Sequence, residues 1–122
     1  MRALLVEDEA LVAMFAEEVL SGLGFEPTIA RNGAEARDHW SRFTPDLAII
    51  DVGLPDVRGD ALARELRARL PALPILMASG YDVADLRETF KGDACTGFLP
   101  KPYTEEDLIR AARGLGFDLK DQ

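Results

Sequence analysis

The sequence is poor in cysteine, in basic charge and in long apolar runs. Its single cysteine, Cys95, cannot close an internal disulfide, so a packed core must hold the fold, and a reducing compartment suits that count. No apolar stretch approaches the roughly 18 residues of a membrane span, and Met1-Arg2 leads straight into a short apolar segment rather than a secretory leader. A cytoplasmic protein without membrane contact is the expectation. Lysine and arginine number 14 against 22 acids, a net charge of −8, which argues against direct nucleic-acid binding because phosphates need a basic face. The one basic concentration, Arg64, Arg67 and Arg69 around Glu65, reads at helical spacing as a solvated face. His39 has no ligand-type neighbour at metal spacing apart from Asp38 and reads as a surface position. Trp40 and Cys95 read as packing residues.

What is present suits one soluble domain spanning residues 1–122, with a core over about 2–115 and a short C-terminal tail; 48% of the 122 residues are hydrophobic and 30% charged. Apolar runs alternate five times with amphipathic stretches, the rhythm of a doubly wound α/β sheet. Strands are expected near 3–6, 26–30, 46–50, 74–78 and 97–99. Helices are expected near 9–21, 32–43, 60–70, 83–91 and 104–114. The first would bury Val12, Phe15, Ala16, Val19 and Leu20, and Gly22 or Gly24 would end it. Asn32 is a candidate N-cap with Glu35 three residues on. The fourth helix has only Val83, Leu86 and Phe90 as apolar anchors, which suggests mobility. The fifth opens at Thr104 on three acids, where the helix dipole favours negative charge.

Five polar residues follow the apolar runs. Glu7 and Asp8 come after Leu4-Leu5-Val6, Asp51 after Leu47 to Ile50, Ser79 after Ile75 to Ala78, and Lys101 after Phe98-Leu99-Pro100. If these runs are parallel strands, all five side chains meet at one sheet edge, where ligands of open α/β sheets bind. Three carboxylates held together repel unless a cation joins them, so the cluster predicts a metal. Each residue taken alone has a plainer reading: an acidic pair after a strand serves as charge at a helix N-terminus, and a strand-end Asp forms a turn. Their convergence on one edge is what outweighs those readings.

The segments LLVEDE at 4–9, IIDVGLPD at 49–56, ILMASGY at 75–81 and FLPKPY at 98–103 resemble the receiver domain of two-component response regulators, over essentially the whole chain. The resemblance implies a flavodoxin-like five-stranded parallel sheet of order 2-1-3-4-5 with five helices. It implies that Asp51 accepts a phosphoryl group from a phosphohistidine of a sensor histidine kinase or a histidine phosphotransfer protein. Asp8 would bind Mg²⁺ directly and Glu7 largely through water, with Asp51 and the backbone carbonyl of Gly53 as further ligands. Lys101 would pair with the phosphoryl oxygens, and the Ser79 hydroxyl would hydrogen-bond to one of them. Lys101-Pro102 matches a peptide bond commonly cis in the family, and Phe98 stands where the family places an aromatic that turns inward on activation. The phenol usual at that position is missing.

Such a protein is a self-resetting switch rather than a turnover enzyme. Nothing past Gly114 has the length of an output domain, so its signal is expected to leave by contact with an unknown downstream protein, through the fourth helix, fifth strand and fifth helix. Leu11 and Met14 lie off the buried stripe of the first helix beside the acids and are candidates for docking the phosphodonor. Three rivals follow from the same residues. A phosphate-ester hydrolase with an aspartyl nucleophile would want a second Asp where Gly53 stands, a flavodoxin-like nucleotide binder would want a phosphate loop where the acids stand, and a pseudo-receiver would not need the intact acids and lysine.

Overall fold

The computed structural model describes residues 1–80 and 83–119. Tyr81, the end of the ILMASGY segment, and the last three residues of the tail lie outside the described residues. The element order is β1 (Arg2–Val6), α1 (Ala10–Gly22), β2 (Glu26–Ala30), α2 (Gly33–Arg42), β3 (Leu47–Asp51), α3 (Gly59–Arg69), β4 (Ile75–Ser79), α4 (Val83–Thr89), β5 (Thr96–Pro100) and α5 (Glu105–Gly114). The five strands pair in parallel in the order β2-β1-β3-β4-β5. Three central strands with helices on both faces have no solvated side, which is why β1, β3 and β4 are almost wholly apolar and buried while the edge strands are partly exposed.

Strand alternation sends successive side chains into two cores. Leu5, Ile49, Leu76 and Leu99 meet α1 and α5 through Ala16, Leu20, Leu108 and Ala112. Leu4, Ile50, Ile75 and Met77 meet α2, α3 and α4 through Ala36, Trp40, Leu62, Leu66 and Leu86. The helix starts follow the expected chemistry. The Asn32 side chain accepts from the Glu35 amide at 2.8 Å, and Thr104 and Asp107 form a reciprocal capping box at 3.1 and 2.9 Å.

Four expectations are corrected. Phe15 is not buried but 38% exposed; Ala13 joins Ala16 on the face against the sheet, and the phenylalanine ring, one step round the helix, lies 6.0 Å from the ring of Tyr103. Arg67 is not solvated. Its guanidinium donates to the carbonyls of Leu70, Pro71 and Leu73 past the end of α3, to the Thr96 hydroxyl at 2.9 Å, and pairs with Asp93 at 3.0 Å. The core does not stop near residue 115, because Phe117 packs edge-on against Phe25 at 5.4 Å and Leu119 is buried, its carbonyl held by Arg113. His39 is half-buried, its ring 6.4 Å from that of Phe43. Among the described residues no helix is long and apolar enough to cross a membrane.

Candidate functional site

Parallel register brings the strand ends together: Val6 stands opposite Ile50, Asp51 opposite Ala78, and Ser79 opposite Pro100. The residues that follow or end these strands therefore share one edge, as the sequence implies. Glu7, Asp51 and Ser79 are buried there and Asp8 is exposed. One carboxylate oxygen from each of Glu7, Asp8 and Asp51 falls within 4.8 Å of the others. The first turn of α1 holds no acid, and Glu9 at its N-cap makes no side-chain cap, so the acidic run serves the pocket rather than the helix dipole.

Lys101 reaches in from β5. Its ammonium donates to Glu7 Oε1 at 3.0 Å and to Glu9 Oε1 at 3.3 Å, and stands 3.3 Å from Asp51 Oδ2. Its backbone amide donates to the Ser79 carbonyl at 2.8 Å, which ties the lysine loop to the end of β4. The Lys101-Pro102 peptide is cis, in agreement with the family pattern. On the other side the Gly53 amide donates to Asp51 Oδ1 at 3.3 Å. The loop after β3 folds back so tightly that Gly59 donates to the Val52 carbonyl, and a Cβ on Gly59 would fall 1.9 Å from the Asp51 carbonyl oxygen. Only glycine fits there, because the obstacle is backbone that holds the central aspartate.

Burial pushes the Glu7 carboxyl up to about 7, against the lowering pull of Lys101 and the Glu9 amide and with the help of the Asp51 charge. Burial works against the charge of Lys101, yet the hydrogen bond and charge of Glu7 and the charge of Asp51 outweigh it and hold the ammonium above the ordinary lysine value. Burial, aided by Glu7, pushes the Tyr103 phenol up to about 12. The pocket opens into a cleft of about 680 Å³ in which Asp51, Ser79 and Lys101 face the apolar side chains of Leu11, Val12 and Phe15.

The other expected residues sit as follows. Leu11 is 81% and Met14 61% exposed on the outer face of α1, and Leu11 lines the cleft. Phe98 lies away from the acids, half-buried between the Phe90 ring at 6.4 Å and the Arg87 guanidinium at 5.0 Å. Three residues escape the sequence reading. Glu9 and Tyr103 line the cleft, and Asp56 accepts from the Gly33 and Ala34 amides at 2.8 and 3.1 Å, capping α2 from across the sheet edge. The Gly33 amide holds the Asp56 carboxyl below its usual range. Asp56 stands within the IIDVGLPD segment, so a signal existed, but its partner lies 23 residues upstream.

Comparison with known proteins agrees with this geometry. Residues 3–113 match the family described as the response regulator receiver domain. The chain is 32% identical over 115 residues to the response regulator MprA of Mycobacterium avium, covering 94% of this chain and 50% of that protein. It is 27% identical over 104 residues to the DNA-binding transcriptional regulator NtrC of Escherichia coli, covering 85% of this chain and 22% of that one. It thus spans half or less of the length of these relatives. Among solved structures, the chemotaxis protein CheY4 of Vibrio cholerae superposes with a TM-score of 0.85 at 25% identity, covering 93% of this chain and 97% of that one. A CheY-like receiver domain protein from Methanospirillum hungatei, at 24% identity, shares the fold with a TM-score of 0.82 over 92% of this chain and 90% of that one. With strand order, acid cluster and family match in accord, this chain belongs to the receiver domains of two-component response regulators.

Proposed function

We propose that Asp51 is the phosphoacceptor and takes its phosphoryl group from a phosphohistidine of a sensor histidine kinase or histidine phosphotransfer protein. The observation that carries this reading is a buried Asp51 carboxylate 3.3 Å from the Lys101 ammonium and within 4.8 Å of two further acids, at the mouth of a cleft open to solvent. An Asp51 oxygen attacks phosphorus as the P–N bond of the donor breaks, and the electron pair stays on the imidazole nitrogen. A carboxylate nucleophile has no proton to lose. Lys101 pairs with phosphoryl oxygens, and the Ser79 hydroxyl donates to one of them. The acyl phosphate formed hydrolyses in water, so the switch resets without a dedicated base.

The donor set suits Mg²⁺. Three hard carboxylate oxygens converge, and among the described residues a single ammonium leaves a surplus of negative charge, which matches the oxygen preference of this ion. Asp8, Asp51 and the Gly53 carbonyl would hold it, with Glu7 acting largely through water. Bound there, the ion supplies charge neutralisation for the transferring group.

Leu11 offers apolar area at the pocket and Met14 is exposed three residues along the same helix, where a helix carrying the phosphohistidine must approach. The output is read as protein contact through α4, β5 and α5, with Phe98 as the aromatic that responds to the phosphoryl group. A cytoplasmic location accords with this chemistry.

The test is incubation with Mg²⁺ and acetyl phosphate, followed by intact mass measurement. The wild-type chain gains one base-labile phosphoryl group and Asp51→Ala gains none. Phosphorylation of Asp51→Ala would move the acceptor to another residue.

A further inference from the structure

Lys101 is hemmed in by acids in a way that its assigned role does not require. An ammonium has three N–H bonds. Here they face Glu7 at 3.0 Å, Asp51 at 3.3 Å and Glu9 at 3.3 Å. A phosphoryl group on Asp51 neutralises that carboxylate and loosens its contact, but it brings several anionic oxygens toward the same ammonium, so a second contact must loosen as well. Glu7 is 2% exposed, and a buried carboxylate stripped of its cation is costly. The Glu9 side chain is 63% exposed, and water can replace its partner at little cost. Its backbone amide, which donates to Glu7 Oε2 at 3.2 Å, need not move.

We propose that Glu9 is a positioning residue that holds Lys101 in the unphosphorylated chain and yields it to the phosphoryl group, so that its carboxylate restrains phosphorylation of Asp51. The inference rests on the phosphoacceptor reading above and adds to it a built-in competitor. Glu9 also lines the cleft, so its charge alone could repel an anionic donor at the entrance. The contact and the field make different demands. A shorter acid keeps the field and loses the contact, whereas a neutral amide loses the charge.

Three chains separate these effects: wild type, Glu9→Gln and Glu9→Asp. Each is treated with Mg²⁺ and acetyl phosphate, and each is titrated in Mg²⁺ with beryllium trifluoride, a non-reacting mimic of a bound phosphoryl group, followed by fluorine NMR. Both variants are expected to phosphorylate and to bind the mimic about 2- to 5-fold better than wild type, the factor set by release of an exposed ion pair. A gain in Glu9→Gln with Glu9→Asp unchanged would overturn the proposal in favour of a charge effect at the entrance. No gain in either variant would overturn it outright. Should wild type itself take up no phosphoryl group, the phosphoacceptor reading fails and this inference fails with it.

Discussion

Asp93 accepts from the Thr96 hydroxyl at 2.7 Å, from the Cys95 amide at 2.9 Å and from Arg67 at 3.0 Å. Burial alone would raise its carboxyl, but these three partners outweigh burial and hold it below the ordinary aspartate value of 3.8. The folded chain therefore binds fewer protons at this site than the unfolded chain. Its stabilising contribution is complete above 3.8, and it is lost as pH falls through the lower folded value. Asp93→Asn should flatten the fall in urea midpoint on acidification below about pH 4, and at pH 7 it should cost about 1–2 kcal/mol. Equal acid slopes in the two chains would show that the Arg67 cluster carries no such linkage. The sequence hides this site because an arginine at helical spacing among acids has the signature of a solvated face, and its partners are 26 and 29 residues away.

At the scale of elements, α1 is a helix with two apolar faces. Ala13, Ala16, Val19 and Leu20 seal the core, while Leu11 and Phe15 leave apolar area at the mouth of the pocket and Met14 is exposed on the same helix. A charged side chain on that exposed face costs the fold no buried contact but would be desolvated against a docking helix, at a cost. Leu11→Asp or Met14→Asp should slow transfer from the cognate kinase by at least about tenfold, the equivalent of 1.4 kcal/mol, and hardly alter phosphorylation by acetyl phosphate. The comparison of donors is the check. Equal loss with both would mean damage to the site rather than loss of docking. Most of this helix was legible from periodicity, but Phe15 was not, since the choice between alanine and phenylalanine for the buried side depends on how closely the helix approaches the strands.

Across the whole molecule, the sheet collects carboxylates that are far apart in the chain and, among the described residues, leaves them with one ammonium. A cation that binds only the folded arrangement stabilises it by mass action, about 2.7 kcal/mol at a hundredfold excess over its dissociation constant. Millimolar Mg²⁺ should therefore raise the melting temperature of wild type, and Asp8→Asn should weaken the shift. A wild-type melting temperature that ignores Mg²⁺ would argue against a formed site. The tail takes part in the same fold. Phe117 and Leu119 close the α1 and α5 side of the core, so cooperative unfolding includes residues that composition marks as a tail.

Sequence by itself determined the strand and helix alternation, the cap at Asn32, the start of the fifth helix at Thr104, and the convergence of Glu7, Asp8, Asp51, Ser79 and Lys101. All of these depend on short-range patterns and on one rule, that parallel strands align their C-terminal ends. Tertiary structure decided which acids share the lysine, which arginine is drawn in against the ends of other elements and where the core ends. Glu9 and Lys101 are 92 residues apart, and nothing local to either shows that a side chain at the entrance of α1 can reach an ammonium at the end of β5. Those contacts depend on register, helix approach and side-chain length summed over the whole sheet, and such sums exist only once the chain has folded.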